Sequence, residues 1–302
     1  MNVVKLKLKQ ASHGALSFRI KDRLLITGFW RSGTTWLQQS VQSLTSAHTV
    51  FEPFSPACGY VWDGFAKYDD DANHHIFMPV EMSFLAETDH DNLKRSFNGV
   101  APNGYGYILS PNFGDVWSKN IIVKSTRLGF ILPEILERHQ VKTLHIRRHP
   151  AAVYCSMLNT NWSWQFPDVR FEKVYAKHFG SAPMIGKLLD HDHSVVTRFA
   201  ALWALSESRA QKAIDLNLAD LIRYEDLTQA PGSLSSYILG AQTPTAPKTE
   251  TKNSPVTEDN RKDLSADQRA HDWRDRISKT DLATLQEIVL KLAPEIHEQY
   301  TW

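Results

Sequence analysis

The residues that most restrict how this chain can fold are LLITGFWRSGTTWLQQSV, from Leu24 to Val41. A β-rich apolar run leads into a turn bracketed by Gly28 and Gly33, and a helical pattern then opens on Thr34 and Thr35. Backbone N–H groups in such a turn, with the positive end of the following helix, make a nest for phosphate oxygens. The two glycines stand as far apart as those of an ATPase phosphate loop, but Thr34 occupies the place of that loop's lysine. Without the lysine, a triphosphate and its metal are poorly served. A single 5′-phosphate beside a second anionic group suits the turn better, because Arg31 puts a cation inside it. Arg31, Ser32, Gly33, Thr34 and Thr35 are the expected phosphate ligands, and Thr34 or Ser32 is expected to cap the helix.

Along the rest of the chain, short β-rich runs alternate with helical patterns, which marks a parallel sheet covered by helices. Strands are expected at RLLITG (Arg23 to Gly28), HTVF from His48, NIIVK from Asn120, VKTLHIR from Val141 and ADLIRY from Ala219. Helices are expected from about Pro150 and from about Val195 to Asn217. After the loop, Trp36, Leu37, Ser40, Val41 and Leu44 share one helical face. The expectation is a three-layer α/β fold, a central and mainly parallel β-sheet flanked by helices, forming one domain over residues 1–302. Two regions break the pattern. Trp62 to Asn92 is acidic and aromatic, with a weak helical pattern near its end, and is expected to be an insertion on the acceptor side. Ala241 to Asn260 is poor in apolar residues and rich in Thr, Pro and Lys, as in a mobile surface loop.

Composition narrows the partners. Lys and Arg total 34 against 33 Asp and Glu, a net charge of +1, so no global field draws the chain to nucleic acid or to a membrane. Cys58 and Cys155 lie far apart in no metal-ligand spacing, which disfavours a disulfide framework or a structural zinc and fits a reducing compartment. MNVVKLKLKQASHG alternates apolar and basic residues, and no stretch approaches the roughly 20 apolar residues of a membrane span. A soluble, cytoplasmic protein with a small-molecule partner is the resulting expectation.

A second anion site is legible in LHIRRHPAAVYCSML, from Leu144 to Leu158. Here a strand closes on Arg147, Arg148 and His149, and a helix starts at Pro150, a favoured first helical residue. Arg148 falls at the strand's end, where ligands of open α/β sheets collect, and Ser156 lies about two turns into the helix, so both can reach one anion. The plainer alternative is that the paired arginines solvate a strand end. Beside the loop after Gly28, a second phosphate point favours a nucleotide carrying two separate phosphate groups.

With both elements in place, the chain resembles the PAPS-dependent sulfotransferases. FWRSGTTW, Phe29 to Trp36, is similar to that family's 5′-phosphosulfate loop, and RHPAAVYCS, Arg148 to Ser156, to its 3′-phosphate segment. RYEDL, Arg223 to Leu227, resembles the family's YEDL segment, and HDWRDRIS, His271 to Ser278, its Trp-containing segment near the C-terminus. The resemblance implies a P-loop-like sulfotransferase fold that transfers a sulfuryl group from PAPS, 3′-phosphoadenosine 5′-phosphosulfate, to a hydroxyl or amine and releases PAP, with no metal expected. It implies that Arg31 to Thr35 bind the 5′ side, that Trp36 stacks on adenine with Tyr224 nearby, and that Arg148 and Ser156 bind the 3′-phosphate. The family's RKG element corresponds imperfectly to Arg261, Lys262 and Asp263, so either Arg261 or Arg269 completes the 3′-phosphate site.

Sulfuryl transfer asks the protein to align acceptor and leaving group and to neutralise charge on the oxygens between them. Arg31 and Lys124 are the natural cations. VKSTRLGFILPEIL resembles a family segment whose histidine, two residues after the lysine, is the base; this chain has Thr126 there. Glu52, in HTVFEPF, is the expected replacement, because burial among Phe51, Pro53 and Phe54 would raise its pKa toward neutrality. His74 and His75 are alternative bases in the acidic region. Asp63, Asp69, Asp70, Asp71, Glu81 and Glu87, interspersed with Trp62, Phe65, Tyr68 and Phe77, fit either a solvated acidic surface loop or a pocket for a cationic natural product such as a saxitoxin-type alkaloid, and a steroid, phenol or sugar acceptor stays open. Trp162, Trp164 and Phe166 would form the facing wall. Two other functions remain open at this point: a divergent P-loop kinase, and a non-catalytic protein that binds PAP or another nucleotide.

Overall fold

A computed structural model describes residues 3–55, 85–102, 105–159, 194–230, 232–239 and 264–302. Five strands are found among them: β1 (Asp22–Thr27), β2 (His48–Phe51), β3 (Asn120–Ser125), β4 (Lys142–Arg147) and β5 (Asp220–Arg223). All five expected strands are present, with ends shifted by a residue or so. They form one sheet in the order β2-β3-β1-β4-β5, and every pairing is parallel. The sheet is therefore fully parallel among the described residues.

Alternation along the central strands makes the layers. Leu25, Ile121 and Val123 point to one face, packing with Leu93 and Phe97 of helix α3 (Glu87–Phe97) and Leu132, Ile135 and Leu136 of α4 (Leu132–His139). Their neighbours Ile26, Ile122, Leu144 and Ile146 point the other way, onto Leu37 and Val41 of α2 (Thr34–Thr45). Leu25 and Ile26 have no exposed surface, as expected for strands covered on both faces. Each such side chain contributes about 1.5–3 kcal/mol by leaving water. A third cluster joins α5 (Pro150–Leu158) to the long helix α6 (Val195–Asp215) and to helix α7 (Lys279–Leu292) near the C-terminus.

One local expectation is corrected, and one element is new. Neither Ser32 nor Thr34 caps α2: the N-cap is Gly33, in the left-handed region at φ 95, and no side chain bonds the helix start. The alternating N-terminal segment is a helix, α1 (Val3–Leu16), whose Lys9 is fully buried and donates to the carbonyls of Ser110 (2.5 Å) and Asn112 (2.6 Å). A buried ammonium satisfied by two carbonyls anchors α1, while Val3 and Val4 stay exposed.

The strand order sets the position of any ligand site. After β1 the chain crosses to the β2 side of the sheet, and after β3 it crosses to the β4 side. The carboxyl ends of β1, β3 and β4 thus border the topological switch point, where open α/β sheets bind ligands.

Candidate active site

The loop after β1 folds back on itself through Ser32 N–H to Phe29 O, 3.2 Å. Gly33 can take its φ of 95 without a Cβ, and one built there would lie 2.6 Å from the Tyr224 ring. The first-turn N–H groups of α2 have no carbonyl partner within the helix, so the loop presents a row of donors. Ser32 is fully buried, and its hydroxyl has no hydrogen-bond partner. A buried, unsatisfied hydroxyl costs about 1–3 kcal/mol, which an anion seated in the loop would recover.

Backbone conformation singles out two residues. Five described non-glycine residues have positive φ: Arg31, Ser46, Glu52, Gln140 and Asn217. Ser46 and Gln140 are helix C-caps, and Asn217 follows the C-cap of α6, so chain reversal explains all three. Arg31 (φ 65) and Glu52 (φ 42) end no helix. Such strain is kept where surrounding structure holds it, often at functional sites.

Beyond β4, the phosphate expectations converge. Arg31 Nε donates to Ser156 Oγ at 3.0 Å, and Arg148 Nη1 donates to the Arg31 carbonyl at 3.3 Å. Arg148 Nη2 bonds the Arg269 carbonyl, which brings Arg269 to the site through its backbone. The Arg148 guanidinium lies 4.5 Å from the centre of the Tyr224 ring, and Trp36 meets that ring edge-on at 5.9 Å. Arg148 Nε and Trp36 Nε1 are buried without hydrogen-bond partners. Arg31, Ser32, Gly33, Trp36, Arg148, Ser156 and Tyr224 thus form one cluster, and three of its polar atoms lack partners.

Arg147 does not solvate the strand end. It is fully buried, donating from Nε to Glu207 Oε2 (2.8 Å) and from Nη1 to Gln211 (2.9 Å) and Gln299 (3.0 Å), and His145 meets the same Glu207 oxygen at 2.8 Å. This network ties the end of β4 to α6 and the C-terminal residues and fixes where Arg148 emerges. Next to it, His149 stacks on Trp273 (4.2 Å, 17°), its N–H donates to Glu225 Oε1 (2.8 Å), and its Nδ1 caps α5 by accepting from Ala151 N–H (3.2 Å). Burial pushes the His149 imidazole down to about 3, so it stays neutral, as that cap requires. The RYEDL and HDWRDRIS segments therefore meet at His149 through Glu225 and Trp273. Sequence reasoning missed Glu207, Glu225 and His149, because their roles arise only where distant segments meet.

At the ends of β2 and β3 lies a second cluster. Lys124 is in register with Ile26 of β1 and Phe51 of β2, so neighbouring strand spacing, about 4.8 Å, sets Glu52 beside it. Lys124 Nζ donates to Glu52 Oε1 at 2.5 Å, and both side chains are buried. Thr126 donates twice to the same carboxylate, from Oγ1 to Oε1 at 2.7 Å and from its backbone N–H to Oε2 at 3.1 Å. Glu52 N–H in turn donates to Lys124 O at 2.8 Å.

The direction of the Glu52 shift corrects the expectation. Burial does push its pKa up, but the charges of Lys124 and Arg127 and the hydrogen bonds from Lys124 and Thr126 outweigh that push. The carboxyl is held below its ordinary value of 4.5. Sequence reasoning counted Thr126 only as a missing histidine; it is a two-donor clamp on Glu52. Arg127, with its guanidinium 5.7 Å from the Trp30 ring, was likewise unforeseen.

His74, His75, the acidic and aromatic residues from Trp62 to Glu81, Trp162, Trp164, Phe166, the 241–260 segment, Arg261 and Lys262 lie outside the described residues. Glu87 is described, and it pairs with Arg138 at 3.1 Å on the surface. No described helix is long and apolar enough to cross a membrane.

No protein-family model matches the sequence, and comparison with curated proteins finds no match. Among solved structures, the mouse sulfotransferase SULT7A1 complexed with PAP is 13% identical with a TM-score of 0.46, over 95% of this chain and 93% of that one. The sulfotransferase domain from the curacin biosynthetic pathway is 15% identical at 0.44, covering 91% of this chain and 98% of its own. The sulfotransferase domain of the Synechococcus PCC 7002 olefin synthase is 16% identical at 0.43, over 94% and 96%. At these identities and scores the likenesses decide nothing about activity, which has to be read from the chain's own side chains.

Proposed function

We propose that the chain is a PAPS-dependent sulfotransferase that moves a sulfuryl group from PAPS to a hydroxyl or amine of a small-molecule acceptor and releases PAP. One observation carries this reading. A lysine-free phosphate loop and a separate arginine–serine anion point share one side of the switch point, beside a buried Lys–Glu–Thr cluster suited to moving a proton. The donor fits the nucleotide side: Ser32 Oγ, Arg148 Nε and Trp36 Nε1 are buried and unsatisfied. In this reading the loop from Arg31 to Thr35 holds the 5′ side, Arg148 and Ser156 hold the 3′-phosphate, with Arg261 or Lys262 or Arg269 completing it, and Trp36 and Tyr224 flank the adenine. Bound PAPS supplies the transferable sulfuryl group, and the S–O bond to its 5′-phosphate breaks as the acceptor oxygen or nitrogen bonds to sulfur.

The protein's part is proton and charge management. Glu52 is ionised throughout the neutral range, so it is ready to accept the proton that the acceptor loses. Thr126, donating to both carboxylate oxygens, fixes the orientation in which that proton arrives. Lys124 balances the Glu52 charge at rest. Once Glu52 is protonated, the ammonium is freed to stabilise negative charge on the departing phosphosulfate oxygens, which ties deprotonation to leaving-group stabilisation. A cationic natural product is the acceptor proposed from the acidic residues between Trp62 and Asn92.

Thermal stabilisation separates this reading from its rivals. PAP is expected to raise the melting temperature, and ATP with magnesium is expected to do so far less, because Thr34 stands where a kinase loop needs lysine. Stabilisation by ATP and magnesium without PAP would point to the kinase. Stabilisation by PAP with no transfer to any member of a broad acceptor panel would point to a non-catalytic binder. Within the site, Arg148→Ala is expected to weaken PAP binding by about 1.5–3 kcal/mol, the range for a hydrogen bond to a charged group. Titration calorimetry returning the parent affinity would remove Arg148 from the 3′-phosphate.

A further inference from the structure

At the other end of the sheet, a cavity of about 850 Å³ opens between the starts of β1 and β4, helix α3 and the last turn of α4. Its charge is mostly of one sign: Lys21, Arg23, Lys94, Arg138 and Lys142 line it, against Asp22 and Asp91. Arg23 is committed to structure, donating to Phe97 O (3.2 Å) and Asn98 Oδ1 (3.1 Å) at the end of α3, and Arg138 reaches across to Glu87. Among the described residues, Lys21 and Lys94 make no ion pair. Two histidines complete the lining, His90 from α3 and His139 from α4, with rings stacked 6.0 Å apart. His90 is only 6% exposed, and its Nδ1 has no hydrogen-bond partner; neither has His139 Nε2.

We propose that this cavity is a second binding site, for a small anion carrying several phosphate or sulfate groups. Such a ligand would pair Lys21 and Lys94, and its charge would act on the His90 and His139 rings that border the cavity. The site is separate from the switch-point cluster: β1 and β4 run between the two, and six residues at roughly 3.3 Å each span about 20 Å. It does not depend on the sulfotransferase reading.

The histidines add a testable pH response. Burial lowers the His90 pKa, helped by Arg138 and opposed by Glu87, Asp89 and Asp91. Burial also lowers that of His139, helped by His90, Arg138 and Lys94. The remaining charged groups on the lining, Lys21, Asp22, Arg23 and Lys142, come from the strand starts. With the cavity empty the rings are therefore neutral near pH 7. A bound polyanion favours their protonated forms, so binding takes up protons and tightens as pH falls.

Calorimetric titration of the full chain with inorganic tripolyphosphate, at about pH 7.5 and about pH 6, tests both parts. The expected result is saturable binding that is tighter at the lower pH. In the surface variant Lys94→Ala/Arg138→Ala it should weaken at least about tenfold, and in Arg148→Ala it should be unchanged. His90→Gln should reduce the pH response. Absence of saturable binding, equal affinity in the double variant, or loss in Arg148→Ala would overturn the site; the last would assign the binding to the switch-point cluster. Affinity that does not rise on acidification would remove the histidines from it. Inorganic sulfate binding as tightly as tripolyphosphate would overturn the preference for a ligand with several anionic groups.

Discussion

Replacing Glu52 by glutamine is expected to lower kcat for sulfuryl transfer by about 10²–10⁴-fold, the span usual for a positioned general base, and to leave PAP affinity within about twofold. Glutamine keeps the shape and its single amide oxygen can still accept one of the two hydrogen bonds from Thr126, but it cannot serve as the base. It also strips Lys124 of its counter-charge, and breaking a buried pair destabilises strongly. PAP affinity therefore serves as the control that the variant folds. The assay is turnover of labelled PAPS with whichever acceptor a small-molecule panel identifies. Parent-level turnover in Glu52→Gln would pass the role to another base, His74 or His75 first.

The pH profile gives the same test from another side. Because the Glu52 pKa is lowered, its ionised form persists until the pH falls below 4.5. The acid limb of kcat/KM is expected below that value. A limb near the ordinary histidine value of about 6.5 would instead identify an imidazole. The sign for stability agrees: a carboxyl with a depressed folded-state pKa contributes fully above its unfolded value, and that contribution is lost as pH falls through the lowered pKa. Glu52 should therefore neither gain nor lose stabilising effect between neutral and mildly acidic pH.

The fold was largely legible because its signals are local. A short β-rich apolar run, a glycine-bracketed turn and a proline opening a helix each act over a few residues, so all five strands and the α2, α5 and α6 helices could be read directly. The N-terminal helix was not, because what holds it is tertiary: Lys9 reaches carbonyls more than a hundred positions away. The same divide runs through the site. Candidate ligands of the loop and of β4 were legible as residue types at fixed spacings. The sign of the Glu52 shift was not, since Phe51, Pro53 and Phe54 flank it in sequence and argue for a raised pKa. The groups that reverse the sign, Lys124, Thr126 and Arg127, arrive from β3 and the turn after it.

Gly33→Ala is expected to be strongly damaging to the loop after β1. The left-handed backbone at φ 95 costs an alanine about 1–2 kcal/mol, and its methyl would sit 2.6 Å from the Tyr224 ring, an overpacking worth about 1–3 kcal/mol more. Those terms sum to about 2–5 kcal/mol, to be read from the midpoint of urea unfolding. The variant can relieve the clash only by moving the loop or the ring. Tyr224 also carries Arg148 at 4.5 Å and Trp36 at 5.9 Å, so either shift spoils the nucleotide side, and PAP binding should fall along with stability. A double-variant comparison isolates the contact. If the ring is the obstacle, Gly33→Ala costs less in a Tyr224→Ala background than in the parent, and the remainder is the backbone term. Equal costs in both backgrounds would mean that Gly33 is needed for its φ alone. A Gly33→Ala protein with parent stability and parent PAP affinity would overturn the placement of Tyr224 against the loop, and with it the close packing that the nucleotide side requires.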